Sequence, residues 1–429
     1  MQTWGDGDVD ALLVSHAQIP IDMMWDDPLL ARGLRILGRS LRVTACDLRG
    51  WGSSEQIHGP VPALQAWMDD IEAVTNAVAS KRSAIVASAA SVAPALLFAA
   101  THPERVSSLV LVSPFACYVR DDHYPLGMPS DLLDAGVRWF CESIGRGSTV
   151  ALMSPSRADD PLFRSWALRC ERLSLGPGGP QRAALVDLFM RADVRGVLPN
   201  VTVPTLVIHR VDDRFVRLHH AEYLVEHLPN ARLLKLPGAD HLWNSGDVEA
   251  LFAATAAFVS GAPSDRAPGD RALATILFTD IVGATERAHG LGDRSWRVAL
   301  ERYEERAARH VESFRGRVVK STGDGTLAVF DGPARAIECA CALRDATAAD
   351  DLPIRVGIHT GEVELMRDDI GGIAVHIAAR VLGLAAAHEV LVSSSVPPLV
   401  AGAGIRFEDR GTHTLKGVAE PWAVFAALV

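Results

Sequence analysis

Between Ser260 and Arg271 the chain reads SGAPSDRAPGDR, a stretch of glycine, proline, serine and charge set between two apolar patterns of different rhythm. Such a segment has no apolar face to bury and reads as a linker. It rules out one continuous core and divides the 429 residues into candidate domains at 1–260 and 272–429, joined by 261–271. Length agrees, since single cores stop growing beyond about 250–300 residues.

Before the linker, short apolar runs (ALLVSH, LRVTACD, SAIVASA, SSLVLVSP, PTLVIHR, ARLLKLPG) alternate with longer amphipathic stretches. This pattern predicts buried parallel strands joined by crossover helices, a doubly wound α/β sheet. Residues from about Phe115 to Asn200 read as a helical insertion over the edge of that sheet. After the linker the order is ALATILFTDI as a strand, a charged helix from Asp293 to Phe314, and RVVKSTGDGTLAVF as two strands around a Gly-Asp-Gly turn. A helix from Pro333 to Ala348, the strand LPIRVGIHTGEVEL and the helix IAVHIAARVLGLAA follow. This βαββαβ order predicts an α+β, ferredoxin-like layer.

Apolar residues make up 48% of the chain and charged residues 22%, with a net charge of -10, which disfavours a broad nucleic-acid-binding surface. The six cysteines show no paired metal spacing and read as reduced thiols. The acidic start MQTWGDGDVD is not a secretion signal, and the longest apolar stretch, Ser83 to Ala100, is broken by Ser88, Ser91 and Pro94. A cytoplasmic protein without a membrane span is expected.

Chemistry concentrates in the second domain. Asp280 ends the apolar run TILFT, and Asp324 sits in Gly323-Asp324-Gly325. Singly, the first reads equally as a helix cap and the second as a hairpin turn. Together, two carboxylates at adjacent strand ends suit hard divalent cations bound to phosphate oxygens. Lys320 precedes the turn, Asp369 precedes Gly371-Gly372, and His376 and Arg380 share a helix face. Lys320 and Asp369 read equally as surface charge. The apolar IAVHIAARV around His376 and Arg380 predicts a buried or interfacial position, where an arginine needs an anion.

The segments LFTDIVGATERA, VKSTGDGTLAVFDGPARAI, VGIHTGEVE, DDIGGIAVHIAARV and DRGTHTLKGVAEPWAVF together resemble the class III adenylate and guanylate cyclase domain over residues 272–429. The resemblance implies that Asp280, Asp324 and the carbonyl of Ile281 hold two Mg²⁺ or Mn²⁺ ions. It implies that Lys320 and Asp369 read the base, that Arg380 steadies the transition state, and that Lys416 binds the triphosphate. His376 stands where the family often has a ribose-orienting asparagine. The family joins the metal carboxylates of one subunit to the base-reading and arginine residues of another, which implies a homodimer with two composite sites.

The base can also be argued physically. Adenine offers an acceptor at N1 beside a donor at N6, matching a lysine donor and a carboxylate acceptor, whereas guanine presents the reverse. ATP is the expected substrate, with in-line attack of the ribose 3′-oxygen on the α-phosphorus and loss of pyrophosphate.

CDLRGWGSSE, the stretch from Ser83 to Pro114, TLVIHRVDDRFV and LPGADHLWN resemble the α/β-hydrolase fold over about residues 10–260. That family places its nucleophile in a G-x-S-x-G elbow. Here the elbow reads Ala87-Ser88-Ala89-Ala90-Ser91, with Ala89 at the nucleophile position, while Asp213 and His241 keep the acid and base positions. Ser88 and Ser91 are offset from the tip, SHAQIP lacks the usual His-Gly pair of the oxyanion loop, and little before it suggests the opening hairpin. The leading expectation is a cyclase regulated by an inactive hydrolase-like domain that holds an unknown small molecule. The alternatives are a hydrolase with a cyclase-like appendage and a silent sensor or scaffold.

Overall fold

The computed structural model describes residues 1–175, 180–261, 271–365, 369–418 and 420–428. The chain forms two compact units, Met1–Gly269 and Asp270–Val429. Most of the expected linker, 262–270, lies outside the described residues.

The first unit opens with β1 (Gln2–Trp4), β2 (Val9–Val14), α1 (Pro28–Gly38), β3 (Leu41–Cys46), α2 (Gln65–Ala77), β4 (Ser83–Ser88), α3 (Val92–Thr101) and β5 (Val106–Val112). Four helices follow as the expected insertion: α4 (Ser130–Ser143), α5 (Ser148–Met153), α6 (Pro161–Ser174) and α7 (Pro180–Arg191). The unit closes with β6 (Thr205–Arg210), α8 (Leu218–His227), β7 (Ala231–Leu236) and α9 (Val248–Gly261). The sheet order is β1-β3-β2-β4-β5-β6-β7, parallel except where β1 runs antiparallel to β3. Sequence analysis found little before SHAQIP to suggest an opening hairpin, and the structure places the short edge strand β1 there without one. Three residues are too short to show alternation, and β1 pairs with β3 rather than forming a hairpin with β2.

Local chemistry explains the helix starts. Asp27 caps α1 by accepting from the Leu30 amide at 3.2 Å, Asp160 caps α6 from Leu162 at 2.9 Å, and a proline follows each cap. β4 and β6 are buried at every residue, as central parallel strands must be when helices cover both faces. The chain passes from β2 outward to β3 and returns to β4 on the other side, so the loops after β2 and β4 flank the crevice where the direction of winding reverses.

The second unit contains β8 (Arg271–Ile281), α10 (Ala284–Leu291), α11 (Asp293–Ser313), β9 (Arg317–Ser321), β10 (Thr326–Phe330), α12 (Pro333–Ala348) and β11 (Ile354–Leu365). It continues with β12 (Ile370–Gly371), α13 (Ile373–Leu384), β13 (Val390–Ser393), β14 (Arg406–His413) and β15 (Trp422–Leu428). The sheet is mixed, in the order β14-β15-β13-β11-β8-β10-β9, with β12 paired to β11. Gly357 lets α13 lie directly on β11, since a β-carbon there would come within 2.2 Å of the Leu382 amide nitrogen. Among the described residues, no helix is long and apolar enough to cross a membrane.

Candidate active site

β8 runs beside β10, and the turn between β9 and β10 folds back over the end of β8, where the Ile281 amide donates to the Asp324 carbonyl at 2.9 Å. The crossing depends on two glycines. Gly323 takes a φ of +100°, and a β-carbon on Gly325 would fall 1.9 Å from the Thr279 carbonyl oxygen. Asp280, Ile281 and Asp324 therefore meet at one end of the sheet. Their donors are all oxygen, two half-buried carboxylates and a main-chain carbonyl, the set a hard divalent cation takes. On this chemistry the residues fit the expected metal ions.

Arg355 belongs to the same place and was missed by sequence reasoning. It is the register partner of Asp280 across β8 and β11, and its Nε donates to Asp280 Oδ2 at 2.7 Å. A guanidinium fork at this end of the sheet is a group that can take phosphate oxygens. The available signal was a charged residue opening the otherwise apolar run IRVGIHTG, but its partner is defined only by strand pairing.

Lys320 on β9 and Asp369 before β12 are brought together from 49 residues apart, with Nζ donating to Oδ2 at 2.6 Å. Hydrogen bonding to Lys320, with the Ile370 amide at 2.8 Å, holds the Asp369 carboxyl below its ordinary pKa. The site thus presents an ammonium donor beside an ionised acceptor.

α13 buries Ala374, Ile377, Ala378 and Val381. His376 and Arg380 lie on the opposite face, exposed, with Ile373 54% and Leu384 40% exposed beside them. Within the chain, burial of His376 and Arg380 is therefore corrected to exposure. Periodicity revealed an apolar helix but not that its second apolar stripe points outward. Arg380 Nε lies 3.4 Å from the carbonyl oxygen of Lys416, so the arginine and the exposed Lys416 segment are neighbours.

In the first unit, Ala89 follows β4 with φ 47°, a left-handed conformation unusual for alanine. Ser91 Oγ accepts from the Ser88 amide at 2.9 Å and donates back to the Ser88 carbonyl at 2.9 Å, pinning the bend that holds Ala89 at its tip. Ser88 is buried in β4, so neither serine takes the tip position. Asp213 accepts from the Phe215 and Val216 amides at 2.9 and 3.1 Å, and its Oδ2 lies 2.8 Å from His241 Nδ1. Burial raises the Asp213 carboxyl, but the His241 charge and hydrogen bond outweigh it and leave the pKa below its ordinary value. His241 Nε2 is buried without a hydrogen-bond partner among the described residues. Among the described residues, the Asp213–His241 pair and the sharp turn are in place, and Ala89 puts no hydroxyl at the tip of that turn. His16, in the loop after β2, stands edge-on to His241 with ring centroids 5.8 Å apart. Burial lowers its pKa to about 3.

Residues 270–426 match the family model of the adenylate and guanylate cyclase catalytic domain, and residues 35–243 match that of the serine aminopeptidases S33. An adenylate cyclase of Streptomyces coelicolor is 34% identical over 146 residues, which is 34% of this chain and 38% of that one. A pimeloyl-[acyl-carrier protein] methyl ester esterase of Neisseria meningitidis is 31% identical over 241 residues, 54% of this chain and 72% of that one. An esterase structure from Exiguobacterium antarcticum has the fold of the first unit, with a TM-score of 0.52 and 19% identity over 61% of this chain and 94% of that one. The chain spans between 27% and 38% of the length of the cyclase relatives it matches. The chain belongs to the α/β-hydrolase family in its first unit, without that family's nucleophile, and carries a class III adenylate/guanylate cyclase domain in its second.

Proposed function

We propose that the protein is an adenylate cyclase that converts ATP to 3′,5′-cyclic AMP and pyrophosphate as a homodimer, under control of its hydrolase-like unit. The observation that carries the choice of base is the Lys320–Asp369 pair at 2.6 Å. An ammonium and a carboxylate side by side match adenine N1 and N6, and each would be left facing a group of its own kind by guanine.

Asp280, Asp324 and the Ile281 carbonyl would hold two divalent cations, Mg²⁺ or Mn²⁺, which when bound would supply charge to acidify the ribose 3′-hydroxyl and neutralise the polyphosphate. Lys320 and Asp369 orient the base, Arg355 and Lys416 bind phosphate oxygens, and Arg380 offsets charge developing on the α-phosphate. His376 faces the ribose. The exposed Ile373-His376-Arg380-Leu384 face of α13 supports a second copy as the element that completes the site. Ala89 supports a binding rather than a hydrolytic role for the first unit, since the Asp213–His241 pair has no hydroxyl to act on.

Purified protein with ATP or GTP, in Mg²⁺ and separately in Mn²⁺, is expected to yield cyclic AMP in clear excess over cyclic GMP. No cyclic product from either nucleotide would sink the proposal. Mixing Asp280→Ala and Arg380→Ala chains, each nearly inactive alone, is expected to recover activity at one composite site. A mixture that forms dimers yet stays inactive refutes the shared-site arrangement.

A further inference from the structure

The first unit holds an apolar cavity that the Asp213–His241 pair does not use. It measures about 200 Å³, and Leu133, Val137, Trp139, Phe140, Val186 and Met190 line it from α4 and α7. Phe215 closes it toward His241, its ring centroid 4.9 Å from the imidazole and 6.4 Å from the ring of Phe140. Tyr118, Met128, Arg214 and Phe215 also line a second space of about 410 Å³, where Arg120 and Arg217 gather with His219 and His220. An apolar compartment and a basic one thus share a wall, and Arg214 belongs to both.

The charge of the basic compartment rests on its arginines. Burial lowers the His220 imidazole to about 3 and holds His219 below its ordinary value, so both rings are neutral near pH 7. Arg120 Nε donates to the Gly127 carbonyl at 3.0 Å. Among the described residues, no carboxylate forms an ion pair with Arg120, Arg214 or Arg217. A chamber of aliphatic and aromatic walls takes an apolar chain, and guanidiniums without carboxylate partners take an anion.

We propose that these joined compartments bind a medium-chain carboxylate, with its alkyl chain between α4 and α7 and its carboxylate at Arg214. Phe215 keeps the chain away from His241, and Ala89 offers no nucleophile, so the ligand is held and not consumed. The inference deepens the regulatory part of the proposed function, while the binding itself stands apart from cyclase activity.

Isothermal titration of the full chain with sodium decanoate, below its micelle concentration and without nucleotide, tests the site. Saturable binding is expected, weakened about tenfold or more by Arg214→Gln, which removes the charge-assisted contact. Val137→Trp, which fills the chamber, is expected to abolish it, with melting curves confirming that both variants fold. The uncharged 1-decanol is expected to bind far more weakly. Absence of saturation, equal binding of decanoate and decanol, or wild-type binding by both variants overturns the proposal. Cyclase rates with and without decanoate then address the sensor role. A rate that decanoate leaves unchanged while it binds refutes that role and leaves the binding site standing.

Discussion

Ala89 holds a backbone conformation that costs a residue with a β-carbon about 1–2 kcal/mol, and it persists because the Ser88–Ser91 hydrogen bonds determine the bend around it. The bend is therefore held by the Ser88–Ser91 hydrogen bonds and not by any role of the side chain at its tip. Ala89→Ser should restore a hydroxyl beside the unpartnered Nε2 of His241, and the variant is expected to be labelled by a fluorophosphonate probe while the wild type is not. An unlabelled but folded variant would show that the remaining dyad is misaligned. In the second unit, Lys320→Ala removes the proposed donor to adenine N1 and is expected to lower kcat/KM for ATP by on the order of tenfold to a hundredfold. An unchanged kcat/KM for ATP would detach Lys320 from base recognition. Asp280, Asp324, Lys320 and Asp369 each read singly as a cap, a turn or surface charge, and only the cyclase resemblance singled them out together; the structure brings Lys320 to Asp369 and the Asp324 turn to the end of β8. Arg355 was not legible, because only the pairing of β8 with β11 brings it to Asp280 from 75 residues away.

At the scale of the element, α13 shows what periodicity can and cannot convey. Its burial at 374, 377, 378 and 381 follows the helical repeat and was legible as an apolar face. The opposite face carries Ile373 and Leu384 as well as His376 and Arg380, so both faces read as apolar, and a single-chain pattern cannot assign one of them to a second subunit. β8, α11, β9, β10, α12, β11 and α13 were legible because each run has the length of one element and ends in glycine, proline or charge, whereas α10 and the short strands β12, β13, β14 and β15 were not read. Ile373→Lys gives that face a test. Ile373 is 54% exposed in the single chain, so its loss is expected to leave the far-ultraviolet circular dichroism of the folded chain unchanged, with any fall in melting temperature reporting the lost subunit contact. If the face is the dimer contact, the variant sediments as a monomer and loses cyclase activity. A dimeric, active Ile373→Lys protein would move the interface elsewhere.

Across the whole molecule, the two units differ in how they bury histidine, and this gives them different responses to acid. In the first unit burial lowers His16 and His220 to about 3 and His209 to about 4, and His219 also lies below its ordinary value. In the second, among the described residues, burial lowers His359 to about 4. The unfolded chain binds protons near pH 6.5, whereas these folded imidazoles exclude them. For His16, His209, His220 and His359 the resulting contribution to stability is complete above pH 6.5 and is lost as pH falls from there toward 3 to 4, at up to about 1.4 kcal/mol per pH unit for each, while the more exposed His219 adds less. Asp47 and Glu171, whose carboxyls burial raises, take up protons in the folded state and offset part of that slope. The first unit should still soften sooner. Every tryptophan except Trp296 and Trp422 lies in it, so tryptophan emission reports mainly on its melting. Between pH 7.5 and 5.5 its midpoint is expected to fall further than the second unit's calorimetric transition, by about 2–4 °C for each kcal/mol of net loss. Parallel shifts of the two transitions would mean that the buried imidazoles of the first unit gain protons without unfolding it.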